Sequence, residues 1–179
     1  MENLNFTGVI LAGGASRRMG TDKASLRVQG LTLLTVMKQK LVEAGASKVA
    51  VLGRENMTDG IVDQCPGAGP VVAVLDYLKN QPLGSRHLIV PVDMPALAPA
   101  DLALLGAQRY WAFFSGHNLP FLAVADAIEL MPSRRIRDLL FIKMARQLEL
   151  PQGREASFAN LNTPSDFAAF SNQSLANSG

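Results

Sequence analysis

Residues 9–23, Val-Ile-Leu-Ala-Gly-Gly-Ala-Ser-Arg-Arg-Met-Gly-Thr-Asp-Lys, limit what this chain can become more than any other stretch. They are entered from a short apolar run, Phe6 to Leu11, too short and too β-branched for a helix and so predicted as a buried first strand. The run breaks into a loop carrying Gly13, Gly14 and Gly20, Arg17 and Arg18, and Lys23. Glycines let a backbone approach an anion closely and present its N–H groups, while Arg and Lys bring the countercharge. A strand ending in such a loop is how an open α/β sheet holds a nucleotide's phosphates at its carboxyl edge.

The spacing separates this loop from two common phosphate-binding motifs. Five residues lie between Gly14 and Gly20, and Lys23 does not follow Gly20 directly, so it is not a P-loop. Nor is it G-x-G-x-x-G. An ordinary glycine turn with solvated arginines is the alternative. Three cations at 17, 18 and 23, with Asp22 the one acid among them, favour a phosphate site.

At 179 residues the chain has the length of one domain with a sizeable core. A hydrophobic content of 48% against 18% charged residues argues against disorder. The net charge is only +2, and the cations are local: Arg17, Arg18 and Lys23, then Arg134, Arg135 and Arg137. Two such clusters suit a phosphorylated small molecule better than a nucleic acid, which calls for a broad basic face. Cys65 is the one cysteine, which excludes an intramolecular disulfide and suits a reducing compartment. No signal-peptide pattern and no membrane-length apolar run is present, so the expected location is the cytoplasm, with no membrane partner.

Strands and helices alternate along the chain. Leu33, Leu34, Met37, Leu41 and Ala44 recur at helical spacing up to Gly45, a C-cap, and Val49 to Leu52 is predicted as a second buried strand. Gly60 to Asp63 is a third, weaker strand; Pro70 opens a helix with Val71, Val74, Leu75 and Leu78 on its apolar face. His87 to Val92 is a strong strand that ends at Asp93, a carboxylate expected beside the first loop. Such an Asp also serves as a loop or N-cap residue. Pro99 and Asp101 start a further helix, and Tyr110–Phe114 and Leu119–Val124 are strands joined by a turn. His117 lies in that turn with no partner in the sequence and receives no role. A long helix capped by Ser133 is predicted to turn Ile136, Leu140, Met144 and Leu148 inward. Phe158 to Asn162 reads as a last strand running into a helix capped by Thr163 with Pro164 at its first position. From Ser171 to Gly179 a small, polar tail is expected after a single domain over 1–170. Apolar strands between helices imply a three-layer α/β/α fold around a mostly parallel, Rossmann-like sheet.

Leu11-Ala-Gly-Gly-x-Ser-x-Arg-Met-Gly-x-Asp-Lys23 resembles the N-terminal signature of the molybdenum cofactor guanylyltransferases, within the nucleotidyltransferase superfamily. In the sister cytidylyltransferases the second element is more often Ala-Ala-Gly, so Ala12-Gly13-Gly14 leans toward guanylyl transfer. The resemblance extends from Val9 to Phe170, through Asp93-Met-Pro95 and Asn160-Leu-Asn-Thr-Pro164. It implies the nucleotide-diphospho-sugar transferase type of fold, and transfer of GMP from GTP to the phosphate of molybdopterin cofactor. The products are molybdopterin guanine dinucleotide and pyrophosphate. Molybdoenzymes or cofactor chaperones are the implied protein partners.

The resemblance also distributes roles. The loop N–H groups from Ala12 to Gly14, with Arg17 and Lys23, would hold the GTP phosphates; Leu11 would belong to the nucleotide site, and Asp63 would help bind the nucleotide unless it is a solvated strand end. Asp93 would hold Mg²⁺, a cation suited to one or two carboxylates plus phosphate oxygens and water. Arg134 and Arg135 would meet the phosphate of the pterin substrate or stand as solvated arginines, and Asn160 and Asn162 would line the active site. Two positions depart from the family: Val51 replaces an asparagine nucleotide contact, and Ala73 replaces a glycine. The segment around His117 is shorter than in the family. Those departures keep three alternatives open: a cytidylyltransferase, a sugar-phosphate nucleotidyltransferase, or a non-catalytic nucleotide-binding module.

Overall fold

A computed structural model describes residues 5–13, 22–54, 57–62, 64–65, 67–126 and 133–176. Strands β1 (Thr7–Leu11), β4 (Lys48–Leu52), β5 (Gly60–Ile61), β6 (Arg86–Pro91), β7 (Ala112–Phe114), β8 (Phe121–Val124) and β9 (Arg146–Leu148) form one seven-stranded sheet in the order β5-β4-β1-β6-β8-β7-β9. A separate two-stranded hairpin pairs β2 (Arg27–Val28) with β3 (Leu31–Thr32). β1 runs parallel to both β4 and β6, and β8 alone runs antiparallel to its neighbours. The mostly parallel sheet read from the sequence is therefore present.

Alternate residues of the central strands enter two separate cores. Ile10, Val51, Leu88, Val90 and Leu122 face α1 (Leu33–Glu43) and α3 (Pro99–Gly106), meeting Leu33, Met37, Leu41, Leu102 and Leu105. Val9, Leu52, Ile89, Phe121 and Ala123 face α2 (Pro70–Lys79) and α4 (Ile136–Ile142), meeting Val71, Val74, Leu78, Leu139 and Leu140. Burial on both faces is why these strands read as apolar runs rather than as alternating ones. Helices on both sides of the sheet make the three layers expected.

Two elements differ from their sequence reading. The helix expected to run from Ser133 past Leu148 ends after Ile142. Met144 takes φ +47°, and Ala145 N–H donates to the Leu140 carbonyl at 2.9 Å, a Schellman-type stop. Residues 146–148 then pair with β7 through Arg146 N–H to the Trp111 carbonyl (2.7 Å) and Ser115 N–H to the Leu148 carbonyl (2.8 Å). The i, i+4 spacing of apolar residues continues through this break, but an open sheet edge offers the backbone a better partner, and Met144 is left exposed. The second difference is at Phe158. Residues Glu155–Phe158 form a 3₁₀ turn, and 159–162 follow without a strand partner ladder. The ring of Phe158 sets this course by packing edge-on against Phe114, 5.4 Å between centroids. Finally, α5 (Pro164–Ala176) carries the polar C-terminal segment on as helix to Ala176.

Candidate active site

The strand order reverses between β1 and β6: β1 leads outward to β4 on one side, and the chain later returns to place β6 on the other. The crevice at the carboxyl ends of two such strands is where open α/β sheets bind ligands. Here it is bounded by Gly13 after β1 and Asp93 after β6. Val92 N–H donates to the Leu11 carbonyl at 3.2 Å and Ala12 N–H to the Leu52 carbonyl at 3.1 Å, extending sheet pairing to the rim. The Ala12 N–H is thereby engaged in sheet pairing. Among the described residues Gly13 N–H makes no backbone hydrogen bond.

Gly53, which the sequence reading passed over, explains how the loop leaves β1. It sits at φ +83°, and a Cβ there would lie 2.4 Å from the Gly13 Cα. Two glycines thus back onto each other at the base of the loop, where any side chain at 53 would push the loop away. The sequence did carry the signal: β4, like β1, is an apolar strand followed by glycine and then a cation, Arg54.

Lys23 lies in a single 3₁₀ turn, Lys23–Ser25, capped by the Asp22 carboxylate through Ala24 N–H at 3.2 Å. Its ammonium donates to Asp93 Oδ2 at 2.8 Å and to Asn162 Oδ1 at 3.1 Å. Residues expected at three distant places in the sequence, Lys23, Asp93 and Asn162, therefore converge on one point. Leu161 N–H donates to the Asp93 carbonyl at 2.8 Å, which fastens the Asn160–Asn162 segment to the end of β6. Leu161 is buried in the core, with Asn160 exposed on one side of it and Asn162 on the other.

Asn162 is held from behind by α5. Asp166 Oδ2 accepts from Asn162 N–H (3.0 Å) and Thr163 N–H (2.8 Å), while Thr163 Oγ1 accepts from Asp166 N–H (3.1 Å). This is a reciprocal capping box. The Thr163 hydroxyl and the two backbone N–H groups, helped by the nearby Lys23 charge, hold the Asp166 carboxyl below its usual range. On the opposite side of Lys23, Arg54 pairs with Asp22 and holds its carboxyl below the usual range. Thr163 to Asp166 reads as capping in the sequence, as found, whereas the Arg54–Asp22 pair is not marked there.

The other expected residues divide into three groups. Gly14, Arg17 and Asp63 lie outside the described residues. Arg134 and Arg135 stand on the exposed turn before α4; among the described residues neither makes a hydrogen bond or ion pair with Lys23, Asp93 or Asn162. Val51 is wholly buried in the core shared with α1. Ala73 borders a small cleft with Leu52, Ile61 and Tyr77. His117 rests against the Phe158 ring, 4.6 Å between centroids, and has a packing role. A broad groove of about 930 Å³ lies at the amino ends of β1, β4 and β6, lined by Thr7, Lys48 and His87, on the far edge of the sheet from Asp93.

The chemistry of the donor set bears on a metal. Asp93 keeps Oδ1 free of protein donors among the described residues, and no cluster of three or more His, Cys, Asp or Glu occurs among them. One carboxylate without such a cage fits a cation held mainly by substrate oxygens and water, as Mg²⁺ is in phosphoryl-transfer sites. No helix among the described residues is long and apolar enough to cross a membrane.

Comparison with known proteins bears on the family and the fold. The family described as MobA-like NTP transferase domain matches residues 8–137. A molybdenum cofactor guanylyltransferase from Xanthomonas euvesicatoria is 34% identical over 91% of this chain and 93% of that protein. One from Rhizobium meliloti is 30% identical over 88% and 87%. Among solved structures, a nucleotidyl transferase from Methanothermobacter superposes with a TM-score of 0.75 at 17% identity, covering 97% of this chain and 99% of that one. Molybdopterin-guanine dinucleotide biosynthesis protein A from Archaeoglobus fulgidus gives 0.70 at 19%, covering 93% and 97%. These last two likenesses establish the fold, while the family match and the relatives establish kinship. The chain belongs to the MobA-like NTP transferase family, with the molybdenum cofactor guanylyltransferases among its relatives.

Proposed function

We propose that this protein transfers GMP from GTP to the phosphate of molybdopterin cofactor, releasing pyrophosphate and forming molybdopterin guanine dinucleotide. The observation that carries the reading is the meeting of Lys23, Asp93 and Asn162 at the crevice between β1 and β6. A phosphate monoester already bears its nucleophilic oxygen, so no strong base is needed. That oxygen attacks the α-phosphorus of GTP, a new P–O–P bond forms, and the bond between the α-phosphorus and the bridging oxygen breaks. The electron pair leaves with pyrophosphate. Catalysis then consists of holding two anions in line and neutralising charge on the leaving group.

Position and charge support the roles of Lys23, Asp93 and Asn162, and resemblance supports the others. Gly13 N–H, with Gly14 and Arg17 by resemblance, cradles the GTP phosphates, and the Lys23 ammonium neutralises them. Asp93 would hold Mg²⁺ through its free Oδ1; when bound there, the ion would supply charge to the phosphate oxygens. Asn162, already bonded to Lys23, and Asn160 beside it receive the pterin substrate, with Arg134 and Arg135 at its phosphate. Asp63 contributes to nucleotide binding. Molybdoenzymes or cofactor chaperones are the proposed recipients of the product.

Thermal stability with GTP, CTP and ATP, each with and without Mg²⁺, tests the reading, because a ligand bound only to the folded state raises its stability. A rise confined to GTP with Mg²⁺ is expected. Preference for CTP would move the protein to cytidylyl transfer, and no rise with any nucleotide would overturn the proposal.

A further inference from the structure

Arg54 has no part in the chemistry above, yet it meets the phosphate-binding loop where that loop ends. The loop leaves the sheet at Gly13, which abuts Gly53, and rejoins the described chain at Asp22, which pairs with Arg54. Two consecutive residues after β4 thus support both ends. The Asp22 oxygen that meets the guanidinium also accepts Ala24 N–H, and so caps the turn on which Lys23 rides. Arg54 is mostly covered, its side chain 26% exposed, and its buried Nε has no hydrogen-bond partner among the described residues. A covered cation with one orphaned donor costs desolvation, which its pairing with Asp22 offsets only if the geometry is kept.

We propose that Arg54 is a positioning residue for nucleotide binding, acting through Asp22 to fix the turn that aims Lys23. The inference rests on the reading of this crevice as a nucleotidyltransferase site. Without Arg54, Asp22 is free to swing and the Lys23 turn loses its fixed cap. Lys23 must then find the phosphates from a wider range of positions. The loss falls first on the nucleotide; the Asn160–Asn162 segment gives up only its Lys23 contact and keeps its own anchors, Leu161 N–H on the Asp93 carbonyl and the Asp166 carboxylate on Asn162 and Thr163.

The test uses the full chain and measures Mg²⁺-GTP affinity by calorimetry, the KM for each substrate, and thermal stability. Arg54→Ala removes the cation; Asp22→Asn keeps the cap acceptor and removes only the charge. Each is expected to weaken GTP binding roughly threefold to tenfold, the scale of one partly covered charge pair. The pterin KM is expected to change less than the GTP affinity, and Arg54→Lys to recover part of that affinity. In the double variant the loss is expected to be no greater than in the worse single variant, because both changes remove one interaction. Losses that multiply, or wild-type affinity in Arg54→Ala, would overturn the inference. Should Arg54→Ala fail to fold, Asp22→Asn and Arg54→Lys carry the same comparison. A wild-type protein that binds no nucleotide would overturn the function itself, and this inference with it.

Discussion

The Lys23 ammonium donates to Asp93 Oδ2 at 2.8 Å across 70 residues of chain. Two neighbouring strand ends make that contact possible, since β1 and β6 are paired in parallel from Thr7↔His87 to Leu11↔Pro91. On the proposed reading the pair would bring a cation to phosphates and a carboxylate to a metal at one place, each keeping the other in position. Replacing Lys23 by Ala should lower kcat/KM by roughly a hundredfold to a thousandfold, the scale for removing one preorganised charge contact. Stability should fall by roughly 1–3 kcal/mol, because the two side chains are only 17% and 20% exposed and Asp93 is left without its partner. Steady-state kinetics beside urea unfolding would separate the two effects, and near-normal turnover would remove Lys23 from its role.

Asp93→Asn keeps the size and one acceptor oxygen while removing the charge a divalent cation needs. Wild-type GTP affinity should rise with Mg²⁺, and in the variant that rise should largely vanish. Calorimetric titrations of GTP over a series of Mg²⁺ concentrations would show it. An unchanged Mg²⁺ dependence would place the ion elsewhere.

The sequence disclosed most of what positions the site and less of what steadies it. Apolar strands, glycine loops and cations are local signals, so β1, β4, β6, Lys23 and Asp93 were legible one by one. The Asn162 segment was legible as part of a site, but as a strand, because its backbone bond to Asp93 depends on where β6 ends. The helix predicted through Leu148 failed for a related reason: the spacing of Ile136, Leu140, Met144 and Leu148 fits a helix, while the open edge of β7 is invisible until the sheet is assembled. Gly53 and Arg54 act by contact with residues 13 and 22: a glycine and a cation after an apolar strand mark a loop but not its distant partners. Asp166 differs, since it caps its own helix through residues 162 and 163, a local pattern.

Gly53→Ala should loosen the base of the loop. The φ of +83° is strained for alanine, and its Cβ would press on the Gly13 Cα from 2.4 Å. Gly45 is the control: its φ is +94°, but a Cβ there would meet nothing within 4 Å. Gly45→Ala should therefore cost about 1 kcal/mol, the conformational part alone, and Gly53→Ala roughly 2–4 kcal/mol. Only Gly53→Ala should also weaken GTP binding. Equal losses in both variants, with GTP affinity intact, would mean that the loop does not rest on Gly53.

His87 gives the fold a pH dependence far from the site. It is 2% exposed, with Nδ1 at 2.9 Å from the Tyr77 hydroxyl and Nε2 at 2.8 Å from Ser85 Oγ. Ser85 Oγ donates its proton to the Pro82 carbonyl at 2.6 Å, so it accepts from Nε2–H, and Nδ1 accepts from Tyr77. Burial pushes the Tyr77 hydroxyl up to about 12, which keeps it a donor, and pushes His87 down to about 4 from 6.5. The folded imidazole is neutral where the unfolded one binds a proton. Stability is therefore complete above pH 6.5 and falls as the pH drops toward 4, by about 3 kcal/mol from this group. Below 4 both states carry the proton and this contribution stops changing. His87→Gln retains an acceptor and a donor in that cavity but cannot titrate, so its unfolding free energy in urea should lose this slope between pH 6.5 and 4. The same slope in both proteins would mean that His87 does not set it.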